Sequence, residues 1–429
     1  QQPGRVAFYD PDSLDLLGTA EVGALPDLVT FTPDESTALV ANEAEPSPDY
    51  GTDPRGSVSV IDVADGASDP DVRTAGFTAF DGMEDELRER GIRVFGPDAS
   101  ASRDFEPEYI TVAADSATAW VSLQENNALA VLDVEAAEIT DLLPLGYKNH
   151  MLPGNELDAS DEDDGINVRN WPIHGMLQPD AIASYTLYDE TYVLTANEGD
   201  SRDYEGFSEE VEVQDLDLDP EAFDFENVVG IDSVEELQKP ENLGSLKTTT
   251  TLGDTDGDGK YEEIYAYGGR SFSVFDSEGT LLYDSGNDFE VITAERYPEG
   301  FNDDNAESDP DGRSNDKGPE PEGIAVGQVG DRYFAFMGLE RIGGLMIYDV
   351  TNPESPTFVQ YVNERDFAVD IAEIAEGDAE ASAAGDLGPE GVAFVAAEDS
   401  PIENALAVVG HEISGTTTIY EIKPVPERS

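Results

Sequence analysis

A short phrase recurs along this chain, and repetition on that scale constrains the fold more than any other feature. Each copy begins with proline and an acid and continues as a short alternating strand. After a turn comes a second apolar strand ending in Glu, then a third ending in Asp or Glu. The openings are Pro26-Asp27, Pro107-Glu108, Pro179-Asp180, Pro321-Glu322 and Pro389-Glu390. Second strands end at Glu43, Glu125, Glu198, Glu340 and Glu412, and third strands at Asp62, Asp133, Asp276, Asp349 and Glu421. Near the N-terminus, Val6-Ala7-Phe8-Tyr9-Asp10 has the third-strand form alone. Such a unit cannot bury both faces by itself, so copies must stack, and radial stacking leaves few open edges. The expectation is an all-β chain, one β-propeller over residues 1–429 with four-stranded antiparallel blades. Five copies are explicit. A sixth is expected near residues 246–276, without the Pro-acid opening or the terminal Glu. Seven blades are favoured and six also fit, and the N-terminal strand is expected to close the ring against C-terminal strands.

Insertions interrupt the repeat at 146–177, 200–245, 298–319 and 364–387, all rich in Asp, Gly and Asn. Loops this long in a compact repeat protein tend to carry function, although salt-adapted surface loops would look alike. Residues 83–92 and 288–297 read as short helices.

Charge narrows the setting. There are 95 acidic against 22 basic residues, a net of −73, spread between apolar runs along the whole chain. Self-repulsion of that size opposes compaction in dilute buffer. Molar salt shortens the screening length to about 3 Å and removes most of it. The composition is that of an extreme halophile's protein. With no basic stripe to meet phosphates, nucleic acid is not an expected partner. The chain has no cysteine, hence neither disulfides nor thiolate metal sites. No apolar run is long enough for a transmembrane segment. Gln1-Gln2-Pro3, directly before a strand, reads as the processed end of a secreted chain.

Several phrases resemble the choice-of-anchor I family: ANEGDSRDYEGFSEE (196–210), GPEPEGIAVG (318–327), GLERIGGLMIYDV (338–350), NALAVLDV (127–134) and SGTTTIYEI (414–422). The resemblance covers nearly the whole chain and is dense from Glu106 to Tyr204. It implies a β-propeller, secreted or displayed at the cell surface. Members are often labelled alkaline phosphatase-like, yet the resemblance supplies no agreed activity. The family's anchor segment is not recognisable before Ser429, which is the pattern of a removed anchor or a released member.

Three constellations could carry chemistry. In Asp254-Thr255-Asp256-Gly257-Asp258-Gly259-Lys260-Tyr261-Glu262, carboxylates alternate and Gly259 permits a sharp turn, the spacing of a calcium loop. Tyr265 occupies the place of a closing EF-hand Glu, so a hairpin loop with Asp254, Asp256, Asp258 and Glu262 as ligands is expected, calcium serving a structural role. An acidic turn without an ion is the alternative. Second, stacking would carry the strand-end acids Glu43, Glu125, Glu198, Glu340 and Glu412 to one rim. The openings Asp27, Glu108, Asp180, Glu322 and Glu390 would join them there. Carboxylates so close need cations or protons between them, and oxygen-only ligands select calcium or magnesium. Side chains capping blade junctions would show the same recurrence. Third, Arg270, Arg341, Lys148 and His150 are scarce basic groups near strand ends or in the first insertion. A guanidinium there could grip a phosphate oxygen pair, or simply stitch local carboxylates. Two functions follow: an extracellular calcium-stiffened binding protein for an unknown ligand, or a calcium-dependent phosphoesterase acting on a phosphate ester, with Arg270, Arg341, Lys148 and His150 as its catalytic candidates. The first is favoured, because no nucleophile or general base stands out.

Overall fold

A computed structural model describes residues 2–305, 308–376 and 383–423. Four sheets have four antiparallel strands each. Sheet I comprises Pro26–Phe31, Thr37–Asn42, Ser57–Asp62 and Asp71–Gly76. Sheet II comprises Pro107–Val112, Thr118–Leu123, Ala128–Asp133 and Glu138–Pro144. Sheet III is formed by Ile182–Leu187, Glu190–Asn197, Ser271–Asp276 and Leu281–Asp284, and sheet IV by Pro321–Val329, Arg332–Leu339, Leu345–Asp349 and Thr357–Val362. Sheet V has three strands, Pro389–Val395, Leu406–His411 and Thr416–Glu421.

The second strand of each sheet is central and covered on both faces, which is why ALVAN and AWVSL read as unbroken apolar runs and are buried from end to end after the first residue. Neighbouring sheets pack face to face in chain order. Leu39 and Val60 of sheet I meet Ile110 and Val121 of sheet II. Trp120 and Leu129 then meet Ile182 and Phe275. Leu194 and Phe272 meet Ile324 and Met337, and Phe336 meets Val392 and Val409. Stacked four-stranded sheets of this kind are the construction of β-propellers.

Two expectations need correction. The stretch 246–276 is not a repeat of its own. Its strand Ser271–Asp276 completes sheet III by pairing with Glu190–Asn197 far upstream. The rest belongs to a separate five-stranded sheet of Tyr147–Asn149, His174–Met176, Tyr265–Ala266, Lys247–Thr249 and Glu210–Glu212, with its own core around Trp171, Leu237 and Leu243. The insertion splits a hairpin, so sequence adjacency misassigns the strand. Among the described residues the N-terminal strand Pro3–Tyr9 pairs with Leu16–Ala24 and with no C-terminal strand. Its Phe8, with Ala20 and Val22, packs on Ala38, Val40 and Ile61 of sheet I. The expected short helices are present at Glu84–Glu89 and Asp288–Arg296.

Several of the scarce cations are inside. Arg93, Arg202, Arg270 and Arg365 are all buried. They pair with Glu209, Asp104 and Glu106, Glu290, and Asp303 respectively, tying loops to the sheets. Arg202, carried by the insertion that starts at residue 200, reaches Asp104 at 2.8 Å and Glu106 at 3.1 Å beside the opening of sheet II. Removing one partner of a buried pair strands the other charges. Arg202→Met is expected to cost about 3–5 kcal/mol. Denaturant midpoints in molar KCl measure this, and an unchanged midpoint would contradict the clamp.

Candidate functional site

In four of the five sheets pairing is irregular at the Pro-acid step. A β-bulge falls between Pro26 and Val29, Pro107 and Ile110, Pro321 and Ile324, and Pro389 and Val392. Bulges break the up-down alternation and re-aim side chains. The residue before the proline is left-handed in four sheets, with φ of 49° at Leu25, 43° at Gln178, 50° at Glu320 and 67° at Gly388. For the three non-glycines this conformation costs about 1–3 kcal/mol each, strain of a kind concentrated at functional sites.

The repeated step has one geometric result. Asp27, Glu108, Asp180, Glu322 and Glu390, one from each of five sheets, line a single cavity of about 270 Å³ together with Glu43. Burial, reinforced by Glu125 and Glu45, pushes the Glu43 carboxyl up to about 9. Burial likewise raises Asp180 to about 7, and lifts Glu108 and Glu322 well above the usual carboxylate range. Asp27 and Glu390 are more exposed, and partial desolvation with Glu45 and Glu412 respectively nearby raises them as well. Glu125, also buried, is raised to about 7 despite the nearby Arg202. Glu108 Oε2 and Glu125 Oε2 are enclosed without a hydrogen-bond partner. Each of these groups resists ionisation unless positive charge arrives.

Glu198 connects this cavity to a second acidic set. Its carboxylate oxygens come within 4.8 Å of those of Asp180 and Glu322 on one side and of Glu320 and Glu340 on the other. It accepts from Gln124 Nε2 at 2.9 Å and pairs with Lys317 at 2.6 Å. Glu340 is raised to about 9 by burial and by Glu320 and Glu198. Glu320 behaves oppositely. Burial would raise it, but Lys317, Arg313 and Arg341 outweigh that and hold it down at about 2. The sequence reading missed Lys317, Glu320, Asp200 and Gln124. The available signal was a lysine, rare in this chain, just ahead of the Pro321 opening. Glu412 is the outlier among the predicted strand-end acids, being exposed, with Glu390 as its acidic neighbour.

The predicted calcium loop brings three of its four acids together. Oxygens of Asp254, Asp256 and Glu262 lie within 4.8 Å of one another. Asp258 is outside this set, and its carboxylate accepts from the Lys260 amide at 2.9 Å. Gly257 and Gly259 take φ of 79° and 92°, the left-handed turns that let backbone amides of 257–259 point back at Asp254.

The basic candidates occupy other places. Arg270 is buried with Nη1 on Asp158 O and Glu290 and Nη2 on Ser314 O and Asp316 O. Lys148 donates to Gly269 O at 2.9 Å and to Gly286 O at 2.5 Å, and it pairs with Asp284 at 3.0 Å. The His150 ring meets Asn155 O through Nδ1, and burial with Lys148 nearby keeps it neutral. Arg270 and Lys148 stitch the first insertion to sheet III, His150 bonds within that insertion, and none of the three lines the carboxylate cavity. Arg341 stands closer to the acids, on Glu320 at 3.1 Å and Glu340 at 3.2 Å.

The raised carboxyls set a pH dependence. Glu43 and Glu340 bind a proton more tightly folded than unfolded, so their contribution is complete below about pH 4.5 and is lost as pH rises through about 9. In molar KCl with chelator, the melting temperature is expected to fall from pH 5 to pH 9. Glu43→Gln should flatten that fall. A profile unaffected by the substitution would show that the axial acids are not what titrates.

The sequence profile of the Choice-of-anchor I domain matches residues 1–353. A mesenchyme-specific cell surface glycoprotein of Strongylocentrotus purpuratus is 29% identical over 281 residues, 58% of this chain and 35% of that protein. Gigasin-3a of Magallana gigas is 30% identical over 195 residues, 44% of this chain and 67% of that protein. The match thus spans about a third of the sea-urchin protein and two thirds of the oyster one. Among solved structures, the Myceliophteria thermophila Cps50 (Swd1) β-propeller domain overlaps with a TM-score of 0.40 at 8% identity, covering 98% of this chain and 76% of that one. The periplasmic gluconolactonase of Pseudomonas aeruginosa overlaps at 0.36 and 12%, covering 98% and 88%. These overlaps are loose, and the sheet packing itself defines the architecture. The profile match spans most of the sequence, and the chain belongs to the choice-of-anchor I domain family.

Proposed function

We propose that this chain is an extracellular or cell-surface binding protein whose axial carboxylates and Asp254–Glu262 loop hold hard divalent cations, calcium foremost. One observation carries the reading. Acids from five separate sheets converge on a 270 Å³ cavity, and two enclosed oxygens, on Glu108 and Glu125, have no partner. An all-oxygen donor set suits calcium or magnesium rather than zinc. Asp180, Glu198, Glu322 and Glu108 are the ligand candidates in the cavity, with Glu340, Glu125, Glu43 and Glu390 around them. A bound cation would neutralise the cluster and lock the inner ends of the sheets together.

A cleft of about 350 Å³ lies alongside, lined by Glu45, Asp200, Tyr204, Lys247 and Lys317 among others. Asp200, Ser201, Asp203 and Tyr204 of the family-like phrase form part of its wall, and its mixed charge fits a polar ligand. Placement outside the cell is supported by the family and by the name of the sea-urchin relative. Among the described residues no helix is long and apolar enough to cross a membrane. The net charge of −73 supports a high-salt setting.

Calorimetric titration of chelator-treated protein in molar KCl tests the cation sites. Two classes of calcium uptake are expected, one removed by Asp254→Asn and the other weakened at least tenfold by Asp180→Asn with Glu322→Gln. Calcium at 100 times the dissociation constant should add about 2.7 kcal/mol of stability. Absence of uptake would end the reading.

The phosphoesterase reading survives on a different residue. Lys317 stands between Glu198 and Glu320 at 2.6 and 3.3 Å, beside the acids that would hold a cation. A bound cation would supply an activated water, and Lys317 would meet a phosphate oxygen. Turnover of a chromogenic phosphate ester in molar KCl, abolished by chelator and by Lys317→Met but not by Arg270→Lys, is what this alternative requires.

A further inference from the structure

We infer, building on the proposed cation reading, that Lys317 is a built-in cation filling the second of two adjoining seats, so that the acids around Glu198 take up one divalent ion. Two triads of carboxylates define the seats. Oxygens of Asp180, Glu198 and Glu322 lie within 4.8 Å of one another, and so do those of Glu198, Glu320 and Glu340. Glu198 belongs to both triads, the position of a bridging ligand. Paired metal sites hold their ions about 3.5–4 Å apart.

The seats differ in what surrounds them. Acids press on the first: Glu198, Glu390 and Asp27 on Asp180, and Asp180, Glu198 and Glu340 on Glu322. Glu108, which feels both Asp180 and Glu125, lines the same cavity. The Oε2 atoms of Glu108 and Glu125 are enclosed without a partner, and Glu125 is 4% exposed. This is the seat for a divalent ion.

Every member of the second triad already meets a basic group. Lys317 Nζ stands 2.6 Å from Glu198 and 3.3 Å from Glu320, with Asp200 at 4.0 Å. Arg341 reaches Glu320 at 3.1 Å and Glu340 at 3.2 Å, while Arg313 holds the other oxygen of Glu320 at 2.7 Å. Of these three, Lys317 is the one that touches the bridging Glu198. An ammonium is a compact charge with three donors, so it replaces an ion more nearly than a planar guanidinium does. Burial alone would lower Lys317, but Glu198, Glu320 and Asp200 outweigh it and keep the group charged. The segment that carries the lysine is pinned as well. Arg270 Nη2 donates to the carbonyls of Ser314 and Asp316 at 2.7 and 2.9 Å, and the Asp316 carboxylate pairs with Lys247 at 3.2 Å.

Charge balance gives the capacity. The two triads contain five carboxylates, and Lys317, Arg341 and Arg313 answer three of those charges. The two negative charges left over match one divalent ion. Without Lys317 three are left over, and Glu198, Glu320 and Glu340 become a second oxygen-only seat.

Calcium titration in molar KCl tests this, with Asp254→Asn as the parent so that the surface loop does not contribute. The chelator-treated parent is expected to take up one calcium. Adding Lys317→Met, which keeps the aliphatic stem, should raise uptake to two. Glu340→Gln on top of that change should return uptake to one, and Lys317→Arg, which keeps the charge, should stay at one. Thermal melts and refolding, each with chelator and with calcium, give a second readout. Calcium should raise the melting temperature more in the Lys317→Met protein than in the parent, and should restore refolding if chelator prevents it. One equivalent in both proteins, with equal thermal gains, overturns the role of Lys317 and leaves the cation reading standing. Two equivalents in the parent, or a Lys317→Met protein that calcium cannot refold, overturn that role too. No uptake by either protein overturns the cation reading, and the role of Lys317 with it.

Discussion

Convergence of carboxylates from five sheets on one cavity is the constraint that the rest of this molecule answers to. Burial and mutual repulsion raise Glu43, Asp180, Glu322 and Glu340 together, and each could relax only by taking a proton or a cation. The fold holds them there regardless, through bulges at the Pro-acid step and left-handed residues ahead of the prolines. Backbone strain of that kind persists only where surrounding packing over-determines it. The packing is the succession of sheet-to-sheet cores.

The distribution of positive charge has the same logic. In a chain with 22 basic residues, several are spent inside rather than on screening the surface. Arg202 neutralises Asp104 and Glu106, Arg270 gathers carbonyls and Glu290, and three cations surround Glu320. The contrast between Glu320, held at about 2, and Glu340, raised to about 9, shows two similar buried acids parted by their partners alone. One is a fixed anion in an ion-pair knot. The other meets Arg341 at 3.2 Å, which does not offset burial and the charges of Glu320 and Glu198.

Function and architecture meet at the inner ends of the strands. The openings of sheets I–V share one cavity, so any cation held there would also brace the stack. The cleft beside Lys317 lies at the edge of the same cluster, and the insertion that begins at residue 200 furnishes one wall of it. Glu198 joins the two, with its oxygens within 4.8 Å of those of Asp180 and Glu322 and a 2.6 Å pair to Lys317 in the cleft wall.

The repeated phrase, read alone, pointed to the all-β architecture and to the five Pro-acid openings that share one cavity. Alternation and recurrence are local properties, and stacking turns equal sequence positions into equal spatial ones. The strand Ser271–Asp276 was misplaced because its partner lies across a long insertion, and pairing at that distance leaves no local trace. Tertiary structure alone decided which acids repel and which are paired. It also took Arg270, Lys148 and His150 out of the axial site into the seam of an insertion. Those outcomes depend on distances of a few ångströms between residues remote in sequence, where solvent exclusion and neighbouring charge, not residue type, set the chemistry.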